Sequence, residues 1–186
     1  MRTIRTIHSL LRRFAFLSAL LVASPWAAYA DDLTEGIAAY KRKNFRQALT
    51  LLEPLARGGS SQAQLRLGQM YYYGQGVPEN DAAAFDWFSR AAAQGNAEAQ
   101  AQLAGMYLYG LGPAKDAPDP DLRAAQWYFA AARQGHPEAQ YSLGLLFAVG
   151  KGVQRSDKEA RKWMQRAAAQ GSAEARSFLA TYPKDR

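Results

Sequence analysis

The chain repeats itself every 36 residues, with one unit stretched to 40, and that period decides most of what it can fold into. Identical spacings place Ala63, Ala99, Ala139 and Ala175 in phase, then Leu67, Leu103, Leu143 and Leu179. Later in each unit come Gly74, Gly110 and Gly150, then Trp87, Trp127 and Trp163, and last Gly95, Gly135 and Gly171. A fixed period of this size marks small supersecondary units that bury a core only by stacking on their neighbours. Within the first full unit, Ala63, Leu67, Met70 and Tyr71 share one helical stripe. Gly74-Gln75-Gly76-Val77-Pro78 then stops the helix and reverses the chain. Asn80 or Asp81 caps a second helix whose buried face is Ala84, Trp87, Phe88 and Ala91, and Gly95 ends it as a left-handed stop. Gly68 removes a side chain where a neighbouring helix must come close. The tryptophans and the in-phase leucines are assigned to the core.

The register divides the chain into units at 61–96, 97–136 (with a four-residue insertion) and 137–172. A modified helix pair precedes them over 31–60, and a capping helix and tail follow over 173–186. The expectation is an all-α chain, an α/α superhelix (solenoid) of stacked helical hairpins with nine helices after residue 30. In the first pair, Gly36 and Tyr40 lie on one helix and Asn44 caps the other. The turn between them is several residues shorter than in later units. Pro54 lies inside the helical pattern, which predicts a kink or a tightened last turn. The second unit departs from the pattern at Ala104, which replaces the close-contact glycine, and at Pro113, which replaces the turn valine. Its extra residues fall in the loop from Lys115 to Asp121, where Asp119 followed by Pro120 is a good helix start. The third unit opens with Pro137 at a first helical position, and Ser156 and Glu159 stand at capping-box spacing.

Residues 1–30 read as a targeting segment rather than as part of the fold. Arg2, Arg5, Arg12 and Arg13 form a basic start, and Phe14 to Ala23 is apolar apart from Ser18. Pro25 breaks that run, and Ala28-Tyr29-Ala30 carries the small residues at −3 and −1 that a signal peptidase reads. The apolar run is shorter than the ~20 residues of a membrane helix. Cleavage is predicted after Ala30, with no stable membrane insertion afterwards, and a periplasmic or secreted location follows. A mitochondrial transit peptide is the competing reading, because the segment is Arg-rich and acid-free. Its four arginines and lack of acids carry more than half of the formal charge of +7, so the remaining chain calls for no nucleic-acid partner. With no cysteine, lipoprotein anchoring, disulfides and thiolate metal sites are excluded.

The pattern Ala-x-x-x-Leu-Gly-x-x-Tyr-x-x-Gly-x-Gly-Val at Ala63 to Val77, with Ala84-x-x-Trp87-x-x-x-Ala91-Ala92-x-x-Gly95, resembles the Sel-one-like repeat (SLR). That family is related to the tetratricopeptide repeat and has a longer, glycine-bearing turn. The resemblance covers three full units and two partial ones. It implies a tetratricopeptide-like superhelix that serves as an adaptor or binding surface, often in bacterial envelope or signalling complexes. An exported branch with a cysteine pair in each repeat has been associated with penicillin binding or β-lactam hydrolysis. None of those cysteines occurs here.

Catalytic constellations are missing from the sequence. There is no Ser-x-x-Lys, Lys-Thr-Gly, His-Glu-x-x-His or Gly-x-x-x-x-Gly-Lys. The Gly-x-Gly pairs connect two helices and lack a third glycine, so they are turn residues rather than a nucleotide cradle. His136 is the only histidine beyond residue 30, which rules out a His-based metal cluster or a triad from one chain, and it occupies the capping slot that Asn96 and Ser172 fill elsewhere. Asp119 and Asp121 read as solvated loop charges. No catalytic residue, metal ligand or cofactor is assigned.

What remains is surface. With the first helix of each unit lining the inner curve, as the resemblance implies, Gln62, Leu65, Arg66, Gln69, Tyr72 and Tyr73 point into a groove. Glu98, Gln102, Leu108 and Tyr109 follow from the second unit, and Glu138, Tyr141, Ser142 and Leu145 from the third. Tyrosines among amides suit peptide recognition. Lys158, Arg161, Lys162 and Arg166 are spaced to share a helix face, either a solvated surface or a site for an anionic envelope polymer or acidic partner. The function expected is an exported, non-enzymatic scaffold that binds a protein or peptide partner on its concave face, as an adaptor in an envelope complex. The alternatives are a cell-wall or β-lactam-acting hydrolase and a periplasmic regulator restraining a membrane sensor.

Overall fold

The computed structural model describes residues 25–112 and 119–182, and Asp32–Arg186 form one compact unit, separate from Met1–Asp31. The basic and apolar stretches between Arg2 and Ala23, the loop residues Pro113 and Lys115 to Pro118, and Pro183 lie outside the described residues. Among the described residues there are nine helices and no strand. They are α1 (Pro25–Lys41), α2 (Phe45–Arg57), α3 (Ser61–Tyr72), α4 (Asp81–Ala93) and α5 (Ala97–Leu108), then α6 (Pro120–Arg133), α7 (Pro137–Val149), α8 (Asp157–Ala169) and α9 (Ala173–Thr181). From α2 onward each helix packs on its neighbours in sequence, the contact pattern of an α/α solenoid built of hairpins.

Side-chain caps begin every helix from α2 on. Ser60, Asn96, His136 and Ser172 accept from the N–H three residues ahead at the starts of α3, α5, α7 and α9. Asn44, Asn80, Asp119 and Ser156 do the same for α2, α4, α6 and α8, so Asn80 rather than Asp81 is the cap. Ser156 makes only half of a capping box. It accepts from the Glu159 N–H, but its own N–H donates to the Phe147 carbonyl and Glu159 turns to Lys162. Gly95, Gly135 and Gly171 are left-handed as expected, with φ of 87°, 92° and 101°. Helix α2 runs through Pro54 to Arg57.

The buried clusters lie across the hairpin boundaries. One joins Leu65 of α3, Phe85 and Phe88 of α4, Leu103 and Met106 of α5 and Ala124 of α6. The next joins Ala131 of α6, Leu143 of α7 and Trp163 of α8, and the last joins Met164 and Ala167 of α8 to Ala175 of α9. Leu67, Leu103 and Leu143 are fully buried, whereas Leu179 on the terminal helix is half-buried. The tryptophan assignment needs correction. Trp163 is buried, but Trp87 and Trp127 are only half-buried. In the first full unit the core place belongs to Phe88, whose ring lies so close to Gly68 that a Cβ there would stand 2.5 Å from it. Trp87, one position along, rides at the edge with the Arg90 guanidinium 4.8 Å above its ring.

Two stacking devices were not legible as such. Gln64, Gln100 and Gln140 are buried, and each donates its amide to a carbonyl at the end of the preceding hairpin: Ala56, Ala92 and Ala132. Each also accepts from Gln94, Gln134 or Gln170 at the end of its own hairpin, at 2.7, 2.8 and 2.8 Å. Each of these carbonyls also accepts a backbone N–H from Gly59, Gly95 or Gly135, so the buried amide is a second donor to it and ties two repeats together. The second device is Gly152, at φ 66°, where a Cβ would overlap the Asp121 carbonyl. The turn of the third unit therefore sits directly on the first turn of α6, and Lys151 pairs with Asp121 there at 3.3 Å.

Replacing Gly68 with alanine should destabilise the fold despite the better helix former. The gain of ~1 kcal/mol in propensity is outweighed by ~1–3 kcal/mol of overpacking against a buried ring. At Gly105 of α5 a Cβ would meet only the Tyr128 hydroxyl, at 3.6 Å. Gly105→Ala should therefore raise stability by up to ~1 kcal/mol. Urea unfolding of both variants checks the pair, and equal shifts would contradict the close contact.

Candidate functional site

Three first helices, α3, α5 and α7, converge on a cleft of about 320 Å³. Tyr72 stands at one side, Gln102 and Tyr109 in the middle, and Glu138 and Ser142 at the other. Tyr73 and Tyr109 are the residues that end α3 and α5, and they are 55% and 76% exposed. Tyr72, inside the last turn, is half-buried, edge-on to Tyr73 at 4.9 Å and tilted against Phe88 at 6.4 Å. Burial raises the Tyr72 phenol pKa, with Tyr73, Asp81, Tyr109 and Glu79 adding in the same direction.

The remaining groove residues are placed differently. Leu65 is buried in the core, which corrects its assignment to the surface. Gln69 is buried and accepts from Arg66 at 2.7 Å, while the Arg66 guanidinium lies 5.4 Å over the Tyr40 ring. Leu108 packs against the core of the first two full units, and Tyr141 and Leu145 pack against the cluster of α8 and α9. Tyr141 also lines a second cleft, of about 530 Å³, with Glu138, Gln170 and Glu174. The structure therefore brings Tyr72, Gln102 and Tyr109 together and sets Tyr141 next door.

The first cleft lies where the second unit departs from the repeat. Ala104 is fully buried where the units on either side have Gly68 and Gly144. Its methyl occupies space that the Phe88 ring takes in the unit before. Tyr128, the counterpart of Phe88, stays half-buried and lines the cleft. Burial raises the Tyr128 phenol pKa, partly offset by a hydrogen bond with Ser142.

His136 closes the far side. Its Nδ1 accepts from the Ala139 N–H at 3.2 Å, so in the neutral ring Nε2 carries the proton and faces Glu98 Oε2 at 3.0 Å. The expected capping role is thus joined by a contact that bridges two repeats. Glu98 also accepts from Gln102 at 3.1 Å. The His136 hydrogen bond holds the Glu98 carboxyl below the usual glutamate range, with Gln102 assisting against partial burial. Both histidine nitrogens are committed, so Ser142 gains no base from His136. Among the described residues no group of three or more His, Cys, Asp or Glu side chains is placed to hold a metal ion. Asp119 and Asp121 serve as a helix cap and a Lys151 partner.

The basic stripe does not form one free face. Arg161 donates to the Tyr182 carbonyl at 2.8 Å and lies over the Tyr182 ring. Lys162 pairs with Glu159 at 3.0 Å, and both it and Arg166 lie over Trp163, at 5.7 and 4.6 Å. Lys158 is exposed. Three of the four cations are thus engaged locally, which gives no support to an anionic polymer.

Comparison with known proteins follows the period. The family model of the Sel1 repeat matches residues 61–96, 97–136 and 137–172. A Sel1 repeat protein from Oxalobacter formigenes is 37% identical, with a TM-score of 0.71 over 78% of this chain and 56% of its own. The protein c5321, a protective antigen present in uropathogenic Escherichia coli strains and displaying an SLR fold, is 32% identical, with a TM-score of 0.73 over 81% and 32%. The cysteine rich protein B of Helicobacter pylori, 23% identical with a TM-score of 0.55 over 73% and 95%, shares the fold. The chain thus spans little more than half of the first neighbour and about a third of the second. No curated protein matches it. No described helix is long and apolar enough to cross a membrane.

The Glu98 contact predicts a pH dependence. A carboxyl whose folded pKa is depressed contributes stability that is fully present above its ordinary value, 4.5 for this side chain, and lost as pH falls through the lowered one. The pair is partly exposed, so the contribution is at most ~1 kcal/mol. The Tm difference between the wild type and Glu98→Gln should be positive near neutrality and vanish in acid. A difference independent of pH would remove the carboxylate from this role.

Proposed function

The chain belongs to the Sel1 repeat family, and from that membership we propose that it is an exported scaffold holding a protein or peptide partner on the face built by its first helices, as an adaptor in an envelope complex. Sel1 repeat proteins are helical repeat scaffolds for protein interaction, and the finer reading rests on one observation. The cleft spanning three hairpins carries an exposed tyrosine at its lip and a second, Tyr73, one repeat away. Aromatic anchors beside amides supply contact area and hydrogen bonds at little cost in side-chain entropy. A hydrolase reading finds no support in a cleft whose lone histidine is spent on a helix cap and a carboxylate.

Export is supported by the basic start, the apolar run and Ala28-Tyr29-Ala30. Helix α1 runs from Pro25 through Ala30. Cleavage after Ala30 would leave the compact unit from Asp32 onward whole and put Asp31 and Asp32 at the new helix start, where negative charge is favourable.

The interaction face is tested by a photo-crosslinking amino acid placed in living cells at Tyr73, at Tyr109 and, as a control, at exposed Arg123 of α6. Adducts with one defined partner are expected from the two tyrosine positions and not from Arg123. The same adducts from all three sites, or none from the tyrosines, would overturn the reading. The mass of the protein recovered from the envelope should correspond to an N-terminus at Asp31, and recovery of the uncleaved chain alone would contradict export by this signal.

A further inference from the structure

We infer that the two adjoining clefts on the first-helix face take the cationic side chains, lysine or arginine, of a basic peptide segment. The inference rests on the reading of this face as a peptide-binding surface and names the chemistry of its occupant. Glu98, Glu138 and Glu174 recur in register at the second position of α5, α7 and α9. Glu98 and Glu138 line the first cleft, and Glu138 and Glu174 line the second, so one carboxylate is shared between them. No lysine or arginine lines either cleft among the described residues.

A helix dipole favours glutamate in a first turn, and that accounts for the register alone. It does not account for the aromatic walls, Tyr72, Tyr109 and Tyr128 in one cleft and Tyr141 in the other. A cation between a carboxylate and a tyrosine face gains both an ion pair and the ring quadrupole. Arg66 acts on Glu98 and Arg176 on Glu174 at longer range, but neither enters a cleft. Arg66 is held by Gln69 and Tyr40, and Arg176, beyond Glu174, does not line the second cleft. His136 spends Nδ1 on its helix cap and turns Nε2 to Glu98. Glu138 is 79% exposed, and the same His136 ring stands beside it, with Nδ1 at 3.5 Å. Glu79 and Asp81, near Tyr72, extend the negative potential at the other end. A chain with an excess of basic residues thus concentrates carboxylates on the face where the rings are exposed, and a basic segment complements it.

The test is an NMR titration of the intact protein with an acetylated glycine–serine peptide bearing two arginines, and with its neutral counterpart bearing two citrullines. The arginine peptide should shift the backbone amides around Glu98, Tyr109 and Glu138, with an affinity that falls as salt is added. The citrulline peptide should leave them unmoved. Glu138→Gln, at an exposed first-turn position, should weaken binding severalfold, and the Glu98→Gln/Glu138→Gln pair about tenfold. Equal binding of both peptides, shifts confined to α8, or an unchanged affinity in Glu138→Gln would overturn the inference. Cross-links from Tyr109 to a partner segment without lysine or arginine would also overturn it while leaving the scaffold reading in place. Arginine-peptide binding without cross-links at Tyr109 in cells would do the reverse.

Discussion

A single hairpin of this chain leaves part of its apolar face uncovered, and the neighbour that covers it belongs to the next repeat. The buried clusters follow from this, each drawing on helices of two neighbouring units. Helices of 12 or 13 residues are marginal alone, because nucleation is costly and few bonds follow it. Burial between units must therefore supply what local propensity does not. The buried glutamines extend the same logic to polar groups: each bridges the ends of two second helices, its amide satisfied on both sides inside the stack. Stacking is thus both apolar and hydrogen-bonded, and it recurs at every joint from Gln64 to Gln170.

Regular stacking by itself yields a uniform surface, and the cleft exists because one unit is irregular. Ala104 fills the notch that glycine leaves elsewhere, and Tyr128 takes the place of an apolar core residue while lining the cleft. His136 replaces the small polar caps found at Ser60, Asn96 and Ser172, reaching back to Glu98 with an arm that serine and asparagine lack. Each substitution leaves the backbone plan intact and alters what lines its surface. That is how a repeat fold acquires a particular site without losing its cooperativity.

The architecture was readable because it depends on periodicity, which survives in any single sequence. Helix caps, left-handed glycines and the close approach at Gly68 were readable for the same reason: each is a local demand that few residues meet. The misses have physical causes. Phase places both Trp87 and Phe88 on the buried face, yet only Phe88 faces Gly68 and fills the space, and Trp87 stays half-buried. Gln64, Gln100 and Gln140 each follow an in-phase alanine, and nothing local in the sequence marks an amide for burial, although their recurrence in register was the available signal. Tyr72 and Tyr73 differ by one residue, about 100° of rotation at the end of a helix, and only coordinates separate the packed ring from the free one. The pairing of His136 with Glu98 joins the start of one unit to the cap of the next first helix, 38 residues on, so no local pattern could announce it.

That no hairpin stands alone is most directly tested by the far-UV circular dichroism of a peptide covering residues 61–96, compared with a chain covering 61–172. The shorter peptide should be largely unfolded at a temperature where the three-unit chain shows full helicity and unfolds cooperatively. Native-like helicity and a cooperative melt in the isolated hairpin would contradict the dependence on stacking.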